Sequence, residues 1–225
     1  MQQLLSHVSV YVNEKVYLKN PETSDLGFRI LEGSIDLIHE MGFEKFTFRK
    51  LAKKINSTEA TIYRYFESKH KLLLYLISWY WGWLEYKLVF GLANIDSPEK
   101  KLERAIVVLT EQVVEDGSFS HINEVKLNKI MITESSKGYL TRDVDSENRD
   151  GIFIIYKQLV KRVSDIILEI NPDYEYSHML VSTMMEGAHL QRYFAEHLPH
   201  LTDVIAGEDS TVAFYKELVF KAIKN

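Results

Sequence analysis

Between Thr47 and Phe66 two short helical stretches flank a four-residue break, and this spacing constrains the chain more than any other feature. The first stretch turns Leu51, Ala52 and Ile55 to one face; the second turns Ile62 and Phe66, spaced i, i+4, to another. Thr47 and Thr58 stand at N-cap positions, and Asn56-Ser57 makes the turn, because asparagine tolerates left-handed backbone. Ala52 is small where the first helix approaches the second, and Glu59, Ala60, Tyr63 and Arg64 are left outward. Helices joined in this way form a helix-turn-helix, in which the first crosses a duplex backbone and the second enters the major groove.

Charge agrees with that reading only when it is resolved along the chain. The net charge of the 225 residues is −5. From Lys45 to Lys71 there are eight basic residues (Lys45, Arg49, Lys50, Lys53, Lys54, Arg64, Lys69 and Lys71) against Glu59 and Glu67, a net of +6 that leaves −11 elsewhere. A basic patch on an acidic chain can meet phosphates while the rest stays away; a solvated helix face is the alternative.

The remaining bulk properties exclude more than they assign. There is no cysteine, so disulfides, thiolate metal sites and cysteine nucleophiles are ruled out. No apolar run reaches the ~20 residues of a membrane span, the start lacks a signal-peptide pattern, and a cytoplasmic protein is expected. No phosphate loop or nucleophile elbow occurs, so no catalytic residue, cofactor or enzymatic activity is expected. The eight histidines lack zinc-site spacing; Glu186 and His189, at i, i+3, suit a hydrogen bond better than a metal.

The pattern is otherwise all-helical, nine or ten helices without repeats, with one exception. Val8, Val10 and Val12 alternate with polar residues and Val16-Tyr17-Leu18 follows, which predicts a short β-hairpin closed by Pro21. Helices are expected over about 24–41, with Gly42 at its end, then from Thr47, from Thr58 to near Phe66, and from Ser68 to about Leu92. Further helices are expected from Ser97 to Glu115, Ser120 to Glu134, Gly151 to Ile170, Tyr174 to His197 and Ser210 onward, with a polar stretch over 135–148. Three parts follow: an extension over 1–22, a DNA-binding unit over 23–70, and a helical domain over 71–225.

The stretch Gly42-Phe43…Phe46-Thr47-Phe48-Arg49-Lys50-Leu51-Ala52, then Thr61-Ile62-Tyr63-Arg64-Tyr65-Phe66-Glu67-Ser68-Lys69…Leu72-Leu73, resembles the TetR family of bacterial transcriptional regulators. The match covers roughly 28–74 and departs where Asn56-Ser57 replaces the usual Gly-Val and Ala60 a common glycine. The resemblance implies a homodimeric regulator, usually a repressor, that binds double-stranded operator DNA and is released by a small effector. Carried over by position, Thr47, Tyr63 and Lys69 meet phosphates, Thr58 caps the reading helix, and Tyr65 lies at the DNA backbone. Arg49 matches a guanine reader, and Glu59 and Ala60 face bases, where Glu accepts from cytosine N4 and Ala meets a thymine methyl. The alternatives are packing for the two tyrosines, service to the helix start for Glu59, and solvation for Arg49.

Two apolar helical segments suit dimerisation, with a purely internal core as the alternative: Ile152 to Ile170, and Met179 to Leu190 with its small Gly187 and Ala188. Along the fourth helix Tyr75, Trp79, Trp83, Tyr86 and Phe90 form a stripe. Trp79, Trp83 and Tyr86, with Met131, Tyr156 and Tyr193, either line a cavity for a small apolar or aromatic effector or form ordinary core. A carrier of small molecules or lipids that does not bind DNA is the alternative function.

Overall fold

The computed structural model describes residues 10–115, 119, 121–204 and 210–224. It contains eleven α-helices among these residues: α1 (Asp25–Lys45), α2 (Phe48–Lys54), α3 (Glu59–Tyr63), α4 (Lys69–Leu92), α5 (Pro98–Thr110), α6 (Glu124–Glu134), α7 (Ser136–Tyr139), α8 (Val144–Arg149), α9 (Ile154–Ile170), α10 (Ser177–His197) and α11 (Ser210–Ile223). Two compact units divide the chain, one of Met1–Gly82 with Val113–Ile154, the other of Trp83–Gln112 with Ile155–Asn225. No helix among the described residues is long and apolar enough to cross a membrane.

Local chemistry accounts for most helix limits. Ser24, Thr47, Thr58, Ser97 and Asn123 each accept a first-turn N–H at an N-cap. Gly42, at φ 77°, interrupts α1 where a C′ glycine is expected, and Asn56, at φ 51°, takes the left-handed position of the turn. Helix α5 stops at Thr110, short of the expected Glu115; Glu111 is extended there, and the Arg192 guanidinium donates to the Thr110 carbonyl left at the helix end.

The N-terminal hairpin is not formed within the described residues; Val8 lies outside them. Among the described residues no strand occurs from Val10 onward, and 3₁₀ turns span Glu14–Val16 and Pro21–Thr23. The side chains of Asn13 and Asn20 each accept the N–H two residues on, bending the backbone out of extension. Val10, Val12 and Val16 are nonetheless buried, with Val10 against Gly82. An isolated hairpin is marginal, and the apolar surface of the helices replaces a partner strand.

Residues 135–148, expected to be a polar stretch, contain α7 and α8. Helix α7 is held by packing: Gly138 lies against Ile77, so close that a Cβ there would come within 2.3 Å of its Cδ1. Helix α8 turns inward a buried Glu147, which accepts from His70 at 2.9 Å and Lys71 at 3.3 Å.

In the second unit α9 spends its apolar face internally. Ile152, at the end of the first unit, and Leu159, Val163, Ile166 and Ile167 are all buried within the single chain. Gly187 likewise serves an internal approach, since a Cβ there would lie 2.1 Å from the Tyr215 hydroxyl of α11. The same segments leave Ile154, Met179 and Leu190 exposed, so internal packing takes up part of their apolar surface and not all of it.

Two measurements test this packing. Gly27→Ala would place a Cβ 1.9 Å from the Pro21 carbonyl oxygen, whereas at Gly91 its nearest neighbours would be the Arg104 and Val108 side chains, at 3.3–3.4 Å. Thermal unfolding should show Gly27→Ala losing several degrees, a cost of about 1–3 kcal/mol, and Gly91→Ala gaining up to about 1 kcal/mol from helix propensity.

The second concerns His189, which burial, with the Arg192 charge added, pushes down to about 4 from 6.5. Between those values the unfolded chain binds a proton that the folded chain refuses. Stability from this group is therefore complete above about 6.5 and falls as the pH drops toward 4, by about 3 kcal/mol. Urea unfolding at pH 7 and 4.5 should show His189→Gln losing less stability between the two than the parent chain.

Candidate nucleic-acid interface

The reading unit is assembled on α1. Phe48, Leu51, Ala52 and Ile55 from α2 and its turn, with Ile62 and Phe66 from α3 and beyond, are buried. Gly33 of α1 makes the close approach possible: a Cβ there would stand 2.7 Å from Ile55 Cγ2 and 3.0 Å from Leu51 Cδ1. The Arg29 guanidinium donates to the Ile55 carbonyl at 3.1 Å, and Lys54 pairs with Asp36 at 3.2 Å. Asp36 also takes Lys126 of α6 at 2.6 Å. Burial opposes ionisation of Asp36, yet these two hydrogen-bonded lysines hold its carboxyl below the usual range. The turn closes with Ser57 N–H on the Ala52 carbonyl at 2.8 Å.

On the outer surface Thr47, Arg49, Thr58, Glu59, Ala60, Tyr63 and Arg64 are exposed. Thr47 Oγ1 accepts the Lys50 N–H at 3.3 Å, and a hydroxyl that accepts keeps its own proton to donate. Thr58 Oγ1 accepts the Thr61 N–H at 3.2 Å and lies 2.8 Å from the Thr61 hydroxyl. Tyr63 packs one edge on Phe48, ring centroids 5.0 Å apart, and leaves 49% of its surface in solvent. Six of the eight residues expected to meet DNA, from Thr47 to Tyr63, therefore lie exposed on the two short helices and their caps.

The other two are placed differently. Tyr65 is buried; its hydroxyl lies 2.9 Å from that of Ser24, its carbonyl accepts the Leu18 N–H at 2.7 Å, and Lys19 sits over its ring. Lys69 points back to the end of α1, where its ammonium donates to the carbonyls of Phe43, Glu44 and Phe46. Lys50 similarly donates to the Lys45 carbonyl at 2.7 Å. Sequence reasoning missed Gly33 and the carbonyl cluster at 43–46. A glycine two turns into an amphipathic helix was the available signal for the first; the second had none, because it depends on backbone brought together by the break at Gly42.

The residues expected around an effector divide between the units. Trp79 and Met131, in the first, are fully buried core, with Trp79 Nε1 donating to Glu22 at 2.9 Å. In the second, Trp83 is buried, while Tyr86, Tyr156 and Tyr193 are half-buried, and the Tyr156 hydroxyl donates to Glu186 at 2.9 Å. A cleft of about 760 Å³ in that unit is lined by other residues, among them Val89, Leu92, Lys101, Arg162 and Ile166. Among the described residues no three His, Asp or Glu side chains converge as metal ligands.

The sequence pattern of the bacterial regulatory proteins of the tetR family matches residues 30–76, the stretch from within α1 into α4. No curated protein is matched by sequence. Among solved structures, the fatty acid degradation regulator FadR from Bacillus halodurans is similar at a TM-score of 0.59 and 17% identity, over 88% of this chain and 94% of that one. The ketosteroid transcriptional regulator KstR2 of Mycobacterium tuberculosis gives 0.55 and 14%, over 96% and 97%. AibR, in complex with isovaleryl coenzyme A and operator DNA, gives 0.56 and 16%, over 86% and 96%. At these identities the structures show a shared fold, while the matched segment is the one whose helices, turn and caps are described above. Residues 30–76 thus match the pattern of the tetR family of bacterial regulatory proteins, on a fold that the chain shares with known regulators.

Proposed function

We propose that the chain is a cytoplasmic, homodimeric transcriptional repressor that leaves double-stranded operator DNA when a small apolar or aromatic effector binds. One observation carries the reading. The two short helices bury every large apolar side chain except Tyr63 and display Thr47, Arg49, Thr58, Glu59, Ala60 and Tyr63 together with exposed Lys53 and Arg64. In this reading the hydroxyls of Thr47, Thr58 and Tyr63 donate to phosphates, Arg49 takes guanine O6 and N7, and Glu59 and Ala60 meet bases.

Dimerisation falls to faces the single chain leaves bare. On α10 Met179 and Leu190 are 66% and 50% exposed, and on α11 Phe214 and Leu218 also stand outward. Apolar side chains in such rows are what a symmetric partner covers, and two reading heads then meet half-sites about one DNA turn apart. The effector is assigned to the same unit, where Tyr86, Tyr156 and Tyr193 keep accessible ring surface. AibR, a protein of this fold, is described with both an acyl-thioester ligand and operator DNA, which supports pairing the two activities here.

Selection of bound sequences from a random duplex pool tests the DNA reading. The parent chain should enrich a near-palindrome, and Arg49→Ala should lose one guanine preference in each half-site, a cost of about 1–3 kcal/mol. Absence of enrichment and of salt-dependent binding would favour the carrier instead. Sedimentation tests the dimer: Leu190→Arg should turn a dimer into a monomer, and a parent chain already monomeric at micromolar concentration would remove that part of the reading.

A further inference from the structure

The segment 42–46 is the end of α1 beyond its break and leads into the cap of α2, and a lysine and a glutamate from elsewhere in the same unit hold it. Gly42, at φ 77°, turns the chain so that the Phe43 N–H leaves the helical ladder. That N–H donates to Glu134 Oε1 at 3.1 Å. Glu134 is the last residue of α6; its side chain is 9% exposed, and its other oxygen accepts from Lys137 at 2.6 Å. From the opposite side, Lys69 Nζ lies 3.0, 3.3 and 3.5 Å from the carbonyl oxygens of Phe43, Glu44 and Phe46, and 4.5 Å from the centroid of the Phe43 ring.

An ammonium has three N–H donors, and three carbonyls engage them. Those carbonyls are also the negative end of α1, where a cation is favoured. A phosphate could be taken by Lys69 only by giving up one of these bonds. Phe46, whose carbonyl is the last of the three, directly precedes Thr47, the cap that starts α2 and aims Arg49.

We infer that Lys69 and Glu134 are positioning residues for the DNA reader, a clamp of opposite charges on the backbone of 43–46, and that Lys69 is not a phosphate ligand. The inference rests on the DNA-binding reading above. Glu134 sets the N–H side of the break and Lys69 the carbonyl side, so loss of either lets the Thr47 cap shift while the cations that face DNA stay unchanged.

Full-length Lys69→Met and Lys69→Arg chains, titrated with the selected operator over a series of salt concentrations, separate the two roles. A clamp predicts that both lower operator affinity about tenfold, as for one lost base contact, with the salt slope of the parent, because a planar guanidinium does not fit three converging carbonyls. A phosphate ligand predicts that arginine restores parental affinity and that methionine flattens the slope by about 0.9; that outcome overturns the inference. Amide exchange supplies a readout that needs no DNA. Glu134→Ala should speed exchange of the Phe43 amide at least tenfold while amides in the middle of α1 stay protected, and Glu134→Gln, which keeps the acceptor, should restore it. Unchanged exchange at Phe43 in Glu134→Ala would overturn the clamp. A parent chain without salt-dependent DNA binding would sink the DNA reading and the positioning role with it, and the exchange result would then report on the clamp as structure alone.

Discussion

Helix α4 is apolar on every face from Leu72 to Trp81, and every residue in that run is buried. A helix with no polar side must be enclosed by other elements, and the first unit is built to do so. The Pro21–Thr23 turn reaches it through Glu22, which accepts from Tyr75 at 3.2 Å and Trp79 at 2.9 Å. Gly138 of α7 rests on Ile77, Val10 on Gly82, and the Tyr80 hydroxyl accepts from Asn128 at 2.8 Å. Each large side chain enclosed contributes about 1.5–3 kcal/mol, and the polar tips of Tyr75, Trp79 and Tyr80 are matched, which burial of such groups requires. Glu22 also shows the cost of this arrangement: burial first, and the nearby Glu22 carboxylate second, raise the Tyr75 phenol well above its ordinary value.

Enclosure of α4 explains where the sequence was legible. Helix starts were, because a cap is a local bond between a side chain and an N–H three residues on, as at Ser24, Thr47, Thr58 and Ser97. The left-handed positions at Gly42 and Asn56 were legible for the same reason. Helices α7 and α8 were not, because Ser135 to Asn148 carries no amphipathic period of its own and folds against surfaces that α4 and its neighbours supply. The valines of the N-terminal arm show the converse error. Alternation says that every second side chain is buried, but not whether a strand or a helix bundle buries it.

The same distinction governs the site. Residue type and spacing identified the outer face of α2 and α3, since a helix fixes which positions point away from its neighbour. They did not show which polar side chains are already engaged by the protein itself. Tyr65 and Lys69 fit the family pattern as well as Thr47 or Tyr63 do, yet the first is a buried tie between the N-terminal arm and the reading unit, and the second caps a helix end.

The partners of the cations change what the charge of this segment amounts to. Of the eight cations between Lys45 and Lys71, Lys50 and Lys69 are bonded to carbonyls, Lys54 to Asp36 and Lys71 to Glu147. Asp36 and Glu147 lie outside the segment and offset two of its charges, whereas a carbonyl neutralises none, so the net of +6 overstates the charge of this surface, on which Lys45, Arg49, Lys50, Lys53 and Arg64 are exposed. Affinity from counterion release scales with the number of phosphates neutralised, so under the proposed function this surface would have a modest non-specific hold on DNA. Neutral donors such as Thr47, Thr58 and Tyr63 gain weight in consequence, and so does the accuracy with which their helices are placed. In the DNA-binding reading proposed above, placement of α2 and α3 then counts beside field strength, and the contacts of Lys69 and Glu134 with residues 43–46 act on that placement.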